Sequence, residues 1–132
     1  MATTDPVSRL APCPRKPKCV STEAPPGSSK RMDPIPYTGS LDEARARLLG
    51  VLRGYPRTRI VSDPGLEPHY LKAECRSQVF RFVDDVEFVF DDGAKQIHFR
   101  SASRLGYRDF GVNRKRMEEI RAAFERAGAA AG

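Results

Sequence analysis

Residues 83–100, VDDVEFVFDDGAKQIHFR, carry the pattern that decides the fold. Val86, Phe88 and Phe90 alternate with Asp85, Glu87 and Asp91, and beyond Asp92-Gly93 Ile97 and Phe99 alternate with Gln96, His98 and Arg100. A period of two with an Asp-Gly between the runs predicts an antiparallel hairpin with one apolar and one polar face. If Phe88 lies opposite Phe99, Glu87 falls opposite Arg100, a favourable cross-strand pair.

Outward from the hairpin the period changes. Upstream, His69 to Arg76 alternates with Leu71, Ala73 and Cys75 on one side, and Arg59-Ile60-Val61-Ser62 reads as a short strand before a Pro64-Gly65 turn. Ser40-Leu41-Asp42-Glu43 is a capping box, and Leu41, Ala44, Leu48, Val51 and Leu52 follow at helical spacing until Gly54 and Pro56. A second helix is predicted from about Val112-Asn113 to Ala127, with Met117, Ile120, Ala123, Phe124 and Ala127 as its apolar stripe and Gly128 as its stop. Together these predict an α+β two-layer sandwich of about four mostly antiparallel strands, with both helices on the apolar face.

Residues 1–36 hold eight of the chain's eleven prolines and little apolar periodicity, so they read as an extended Pro-rich arm, leaving 37–132 as a single domain. At 132 residues and 39% hydrophobic content the chain affords one core. No apolar stretch approaches a bilayer span and the start does not resemble a secretory signal, so the expected setting is cytoplasmic, with room for peripheral contact with a membrane. Cys13 and Cys19 could close a tight loop as a disulfide, whereas a cytosolic setting favours free thiols; both states stay open.

The net charge of +6 favours anionic contacts, and its distribution is uneven. Residues 100–116 carry Arg100, Arg104, Arg108, Arg114, Lys115 and Arg116 against Asp109 alone, while 80–92 carry Asp84, Asp85, Glu87, Asp91 and Asp92 against Arg81. Cations in a first helical turn oppose the macrodipole, so something acidic should offset Arg114, Lys115 and Arg116. It is either an internal network with Asp84, Asp85 and Glu87 or an anion bound from outside.

Other chemistries fit less well. Asp84 and Asp85 are strand neighbours that point to opposite faces, which weakens a metal or acid–base pair. His69 and His98 lack ligand spacing, so no metal or other cofactor is expected. His98 and Ser101 fall on opposite faces, and no Gly-x-Ser-x-Gly elbow is present, which removes a serine triad. Nucleic-acid binding is disfavoured because Phe88, Phe90 and Phe99 belong to the core face, although Arg15-Lys16-Pro17-Lys18 could touch phosphates without reading bases.

The segments PCPRKPKCVS (12–21), FRFVDDVEF (80–88) and RSASRLGYRDFGVNRKRMEEIR (100–121), in this order, resemble the domain of unknown function 1499 family. That family comprises small bacterial and plastid proteins, some with appended membrane helices, and brings no established activity. The resemblance spans Leu10 to Ala127. It marks Cys13, Pro14, Cys19 and Val20, then Phe80, Arg81, Phe82, Asp84, Asp85 and Glu87, and last Arg100, Ser101, Ser103, Arg104, Gly106, Gly111, Asn113 and Arg114. Cys75 stands where the family usually has an apolar or hydroxyl residue.

The resulting expectation is a non-catalytic binding or assembly module for a small anionic ligand or an acidic protein partner. Arg100, Arg104 and Arg114 would supply charge, Ser101, Ser103, Tyr107 and Asn113 neutral hydrogen bonds, and Asp84, Asp85 and Glu87 would orient the arginines. The rival is an enzyme on a small anionic substrate with Asp85 or Glu87 as general base.

Overall fold

The computed structural model describes residues 10–61, 68–78 and 81–131; the expected Pro64-Gly65 turn and Phe80 lie outside the described residues. In chain order the elements are β1 (Cys19–Ser21), β2 (Ile35–Pro36), α1 (Leu41–Gly54), β3 (Thr58–Ile60), β4 (Tyr70–Arg76), β5 (Val83–Asp91), β6 (Gln96–Ser103) and α2 (Val112–Ala131). The chain is therefore α+β, and its described residues form six strands in one antiparallel sheet rather than four.

The hairpin sets the register. Phe88 lies opposite Phe99 and Glu87 opposite Arg100. The reversal occupies the four residues between Asp91 and Gln96, and its left-handed residue is Lys95 (φ 56°) rather than Gly93. Tyr37 N–H donates to the Lys95 carbonyl, and the Lys95 ammonium donates to Gly39 O and Asp92 Oδ1. Neighbouring chain thus holds a conformation that a lysine seldom adopts. β4 pairs along the other side of β5 and β3 closes that edge.

The two additional strands come from the Pro-rich segment. Cys19–Ser21 pairs with Arg100–Ala102, and Ile35–Pro36 pairs with Gln96–Ile97, so both lie along the free side of β6. At three and two residues they are too short to show periodicity. Prolines leave carbonyl acceptors without matching donors, and arginines of α2 supply these. Arg114 donates to the carbonyls of Ser29 (2.6 Å) and Arg31, and Arg121 to those of Pro34 and Asp33.

Both helices pack on one sheet face. Ala44, Leu48 and Leu52 of α1 and Met117, Ile120 and Phe124 of α2 share a core with Leu71, Ala73, Cys75, Val86, Phe88, Phe90, Ile97 and Phe99. The α1 capping box forms as predicted, Ser40 and Glu43 each bonding the other's backbone N–H. α2 does not stop at Gly128 but continues to Ala131. The residues after Gly128 are alanines, the strongest helix formers, and Gly128 lies against Arg47, where a Cβ would come within 3.4 Å of Nη1. The opposite sheet face is less polar than the alternation implies: Val89 is fully buried there. The N-terminal segment reaches this face, with Ala11 N–H donating to Glu87 and Arg100 to the Pro12 carbonyl.

Candidate functional site

The start of α2 is neutralised from inside. Asp109, three residues ahead of the helix, turns its carboxylate inward and accepts from the backbone N–H groups of Gly111 (2.9 Å) and Asn113 (3.2 Å) and from the Asn113 amide (2.7 Å). It therefore occupies the place an outside anion would take at this helix end. Asn113 also accepts from Ser101 Oγ (2.7 Å) and donates to Ser103 Oγ and the Lys18 carbonyl. Arg116 donates to Asn113, Ser101 and Asp84, the last at 2.7 Å. Asp84, Ser101, Asn113 and Arg116 are all buried, so this network joins sheet to helix and leaves little of itself to solvent.

On the opposite face the pleat brings up Asp85 and Glu87. Arg104 grips Asp85 at two points, both 2.8 Å, and reaches Glu74 at 2.8 Å. The Arg104 hydrogen bond holds the Asp85 carboxyl below its ordinary range, and Arg59 followed by Arg104 does the same to Glu74. Glu87 accepts from Tyr70 OH at 2.7 Å and pairs with Arg100 at 3.7 Å. Asp85, held by the Arg104 guanidinium, is a poor proton acceptor, and Glu87 is already engaged by Tyr70 and Arg100, so neither is poised as a general base.

A cleft of about 330 Å³ beside the α2 start is bordered by Tyr55, Cys75, Asp84, Arg116 and Glu119. Its acids are engaged: Asp84 by Arg116, and Glu119 by Tyr55 OH at 2.6 Å. Burial pushes the Cys75 thiol up, away from the reactive thiolate.

What stays available is cationic. Cys13 and Cys19 are joined in a disulfide, closing the loop that bears Arg15, Lys16 and Lys18. With Arg100 and Ser103 these side chains line an open groove of about 480 Å³, and among the described residues no aspartate or glutamate lines it. The backbone holds the disulfide loop against the chain after β6: Ser103 N–H donates to Lys18 O, Asp109 N–H to Pro17 O, and the Lys18 ammonium to Arg104 O. From the back, Lys30 donates to the carbonyls of Pro14 (2.6 Å) and Arg15 (2.8 Å).

Next to the groove, residues 104–112 present apolar side chains to water: Leu105 is 61% exposed, Tyr107 60% and Phe110 86%. The Arg108 guanidinium lies over the rings of Tyr107 and Phe110, at 5.7 and 5.8 Å from their centroids.

The residues named from the sequence as one anion site divide into separate groups. Arg100 and Ser103 line the groove; Ser101 and Asn113 are buried; Arg104 serves Asp85 and Glu74; Arg114 ties down residues 29–31; Tyr107 stands in the exposed loop. Sequence reasoning missed Arg15, Lys16 and Lys18 as partners of Arg100, since only strand pairing of a Pro-rich segment brings them together. The case against nucleic acid rested on Phe88, Phe90 and Phe99 and left out the exposed aromatics beside Arg108. The visible signal was Tyr107 and Phe110 flanking Arg108.

Fold and site define an α+β domain whose disulfide-closed cationic loop is built into the sheet edge, with Asp84 and Asp109 turned inward onto α2. The chain belongs to the family described as protein of unknown function (DUF1499), whose model matches residues 9–124. No curated protein and no solved structure matches the chain significantly. Among the described residues no helix is long and apolar enough to cross a membrane, and no group of His, Cys, Asp and Glu side chains is arranged to hold a metal ion.

Proposed function

We propose that this protein is a non-catalytic binding module that docks onto an anionic group, carried by a small ligand or an acidic partner, through the groove beneath the Cys13–Cys19 loop. One observation carries the reading: Arg15, Lys16 and Lys18 converge with Arg100 on a groove that no carboxylate lines among the described residues, while the guanidiniums of Arg104 and Arg116 are matched by internal acids and Arg100 is shared with Glu87. Oriented cations around a concave surface focus field and favour phosphate or carboxylate groups. The enzyme alternative is less well supported, because Asp85 and Glu87 are held by Arg104, Tyr70 and Arg100.

The disulfide bears on where the module works. In reducing surroundings such bonds are rare, so the Cys13–Cys19 bridge supports an oxidising compartment over the cytoplasmic setting expected from the sequence.

Calorimetric titration of the oxidised chain with inorganic pyrophosphate and with a polyglutamate peptide tests the reading. Replacing the exposed Arg15 and Lys16 by alanine should weaken binding of at least one probe about tenfold or more without lowering the melting temperature. Absence of binding by either probe at low ionic strength, or binding that this double variant leaves intact, would sink it.

A further inference from the structure

Large exposed apolar side chains are normal when scattered, and informative when gathered. Six are exposed among the described residues: Val61, Phe82, Leu105, Tyr107, Phe110 and Val112. Four of them lie within residues 105–112. Phe82 is close by, since its chain neighbour Val83 accepts from Arg104 N–H. The most exposed, Phe110, has a left-handed backbone (φ 55°) followed by Gly111 (φ 82°). An aromatic residue in that region is strained, and strain of this kind concentrates where it serves a contact. The conformation is over-determined by Asp109, whose side chain and carbonyl hold Gly111 N–H and Val112 N–H immediately after Phe110. The ring is thereby held outward, 86% exposed and contacted by the Arg108 guanidinium alone among the ring contacts of the described residues, so most of the cost of wetting it is not recovered.

The sequence of the groove and of this loop is rich in cations and poor in acids. Residues 12–18 contain no acid, and 103–116 contain only Asp109, whose carboxylate faces the helix. Arg15, Lys16, Arg108 and Lys115 are exposed, and Arg108 lies over the rings of Tyr107 and Phe110. Such a surface offers projecting rings and a leucine rather than a pocket or a flat apolar patch. It matches a partner that supplies uniform negative charge and an apolar interior just below, with no demand for shape complementarity. A bilayer with anionic headgroups has those properties: cations near it each strengthen binding roughly fivefold, and aromatic side chains settle at headgroup depth.

We propose that residues 105–112 insert Leu105, Tyr107 and Phe110 into the headgroup layer of an anionic phospholipid membrane, while the adjacent groove takes lipid phosphates. The inference rests on the groove's anion binding and names the surface that supplies the anion.

Co-sedimentation of the oxidised full chain with vesicles of phosphatidylcholine alone, and of equal parts phosphatidylcholine and phosphatidylglycerol, tests it. The chain should pellet with the mixed vesicles and stay in solution with the neutral ones. The variant Leu105→Ser/Phe110→Ser should bind the mixed vesicles at least about tenfold more weakly and bind pyrophosphate as before; Arg15→Glu/Lys16→Glu should lose both. Because the chain has no tryptophan, Phe110→Trp adds a single reporter, whose emission should shift to the blue on mixed vesicles and stay unchanged with pyrophosphate. Intact pyrophosphate binding without vesicle binding, or vesicle binding indifferent to the loop variant, overturns membrane insertion and leaves the groove standing; loss of pyrophosphate binding in the wild type removes the groove as well. Displacement from mixed vesicles by single-stranded RNA or polyglutamate at charge equivalence would assign the face to a polymeric anion instead.

Discussion

At the scale of single residues, the chain resolves a conflict written into its own sequence. Three consecutive cations open α2, and each is dealt with differently: Arg114 meets carbonyls of the Pro-rich segment, Lys115 faces solvent, and Arg116 pairs with buried Asp84. Removing one member of a buried ion pair strands the other without water, so Arg116→Ala should cost about 3–5 kcal/mol in denaturant unfolding. Replacing both partners, as in Asp84→Leu/Arg116→Met, should cost less than that single change. A loss below about 1 kcal/mol for Arg116→Ala would mean that water reaches the pair. The Arg104 cluster titrates. The folded-state pKa values of Asp85 and Glu74 lie below their ordinary values, so the stabilisation is complete above the ordinary carboxylate range and lost as pH falls through the depressed values. Arg104→Ala should therefore destabilise the protein at pH 7, and the difference from wild type should shrink on acidification; a difference that holds constant down to pH 2 would contradict the assignment.

At the scale of elements, the legible parts were those long enough to show a period. The nine residues of β5 and eight of β6 displayed theirs, and the register, including Glu87 opposite Arg100, followed from pairing the phenylalanines. β1 and β2 were invisible because three residues and two residues contain no period and sit among prolines. They pair with β6, and arginines of α2 hold the chain between them through the carbonyls of Ser29, Arg31, Asp33 and Pro34. The C-terminal limit of α2 was misplaced because a glycine stop needs the chain to leave the helix afterwards, and the following alanines favour staying. The disulfide loop belongs to this scale too. Closing so short a ring restricts the unfolded chain by about 2 kcal/mol, and its carbonyls hold Ser103, Asp109 and Asn113. Reduction, or Cys13→Ser/Cys19→Ser, should lower the melting temperature and speed amide exchange in residues 101–113 more than in β4. Uniform acceleration across the sheet would indicate that the loop is not the local brace described.

At the scale of the whole molecule, the charge pattern separates what folds the chain from what it can present. The acidic segment 80–92 is spent inward, on Arg116, Arg104, Arg100 and the hairpin turn, and the excess positive charge is left on the disulfide loop and the approach to α2. The sequence showed both segments but not how their arginines were distributed, because the assignment depends on which side chains the pleat and the N-terminal strand bring together. Asp84 and Asp85 illustrate this: adjacent in the chain, they act on opposite faces with different arginines.

The central claim is that the groove at Arg15, Lys16, Lys18 and Arg100 is the anion-binding face. A residue-resolved amide chemical-shift titration of the oxidised chain with inorganic pyrophosphate measures this most directly. Saturable shifts are expected only in residues 13–19 and 100–104, with the Asp84–Arg116 network unmoved. Shifts centred on Gly111–Lys115, or no saturable shift at low salt, would contradict it.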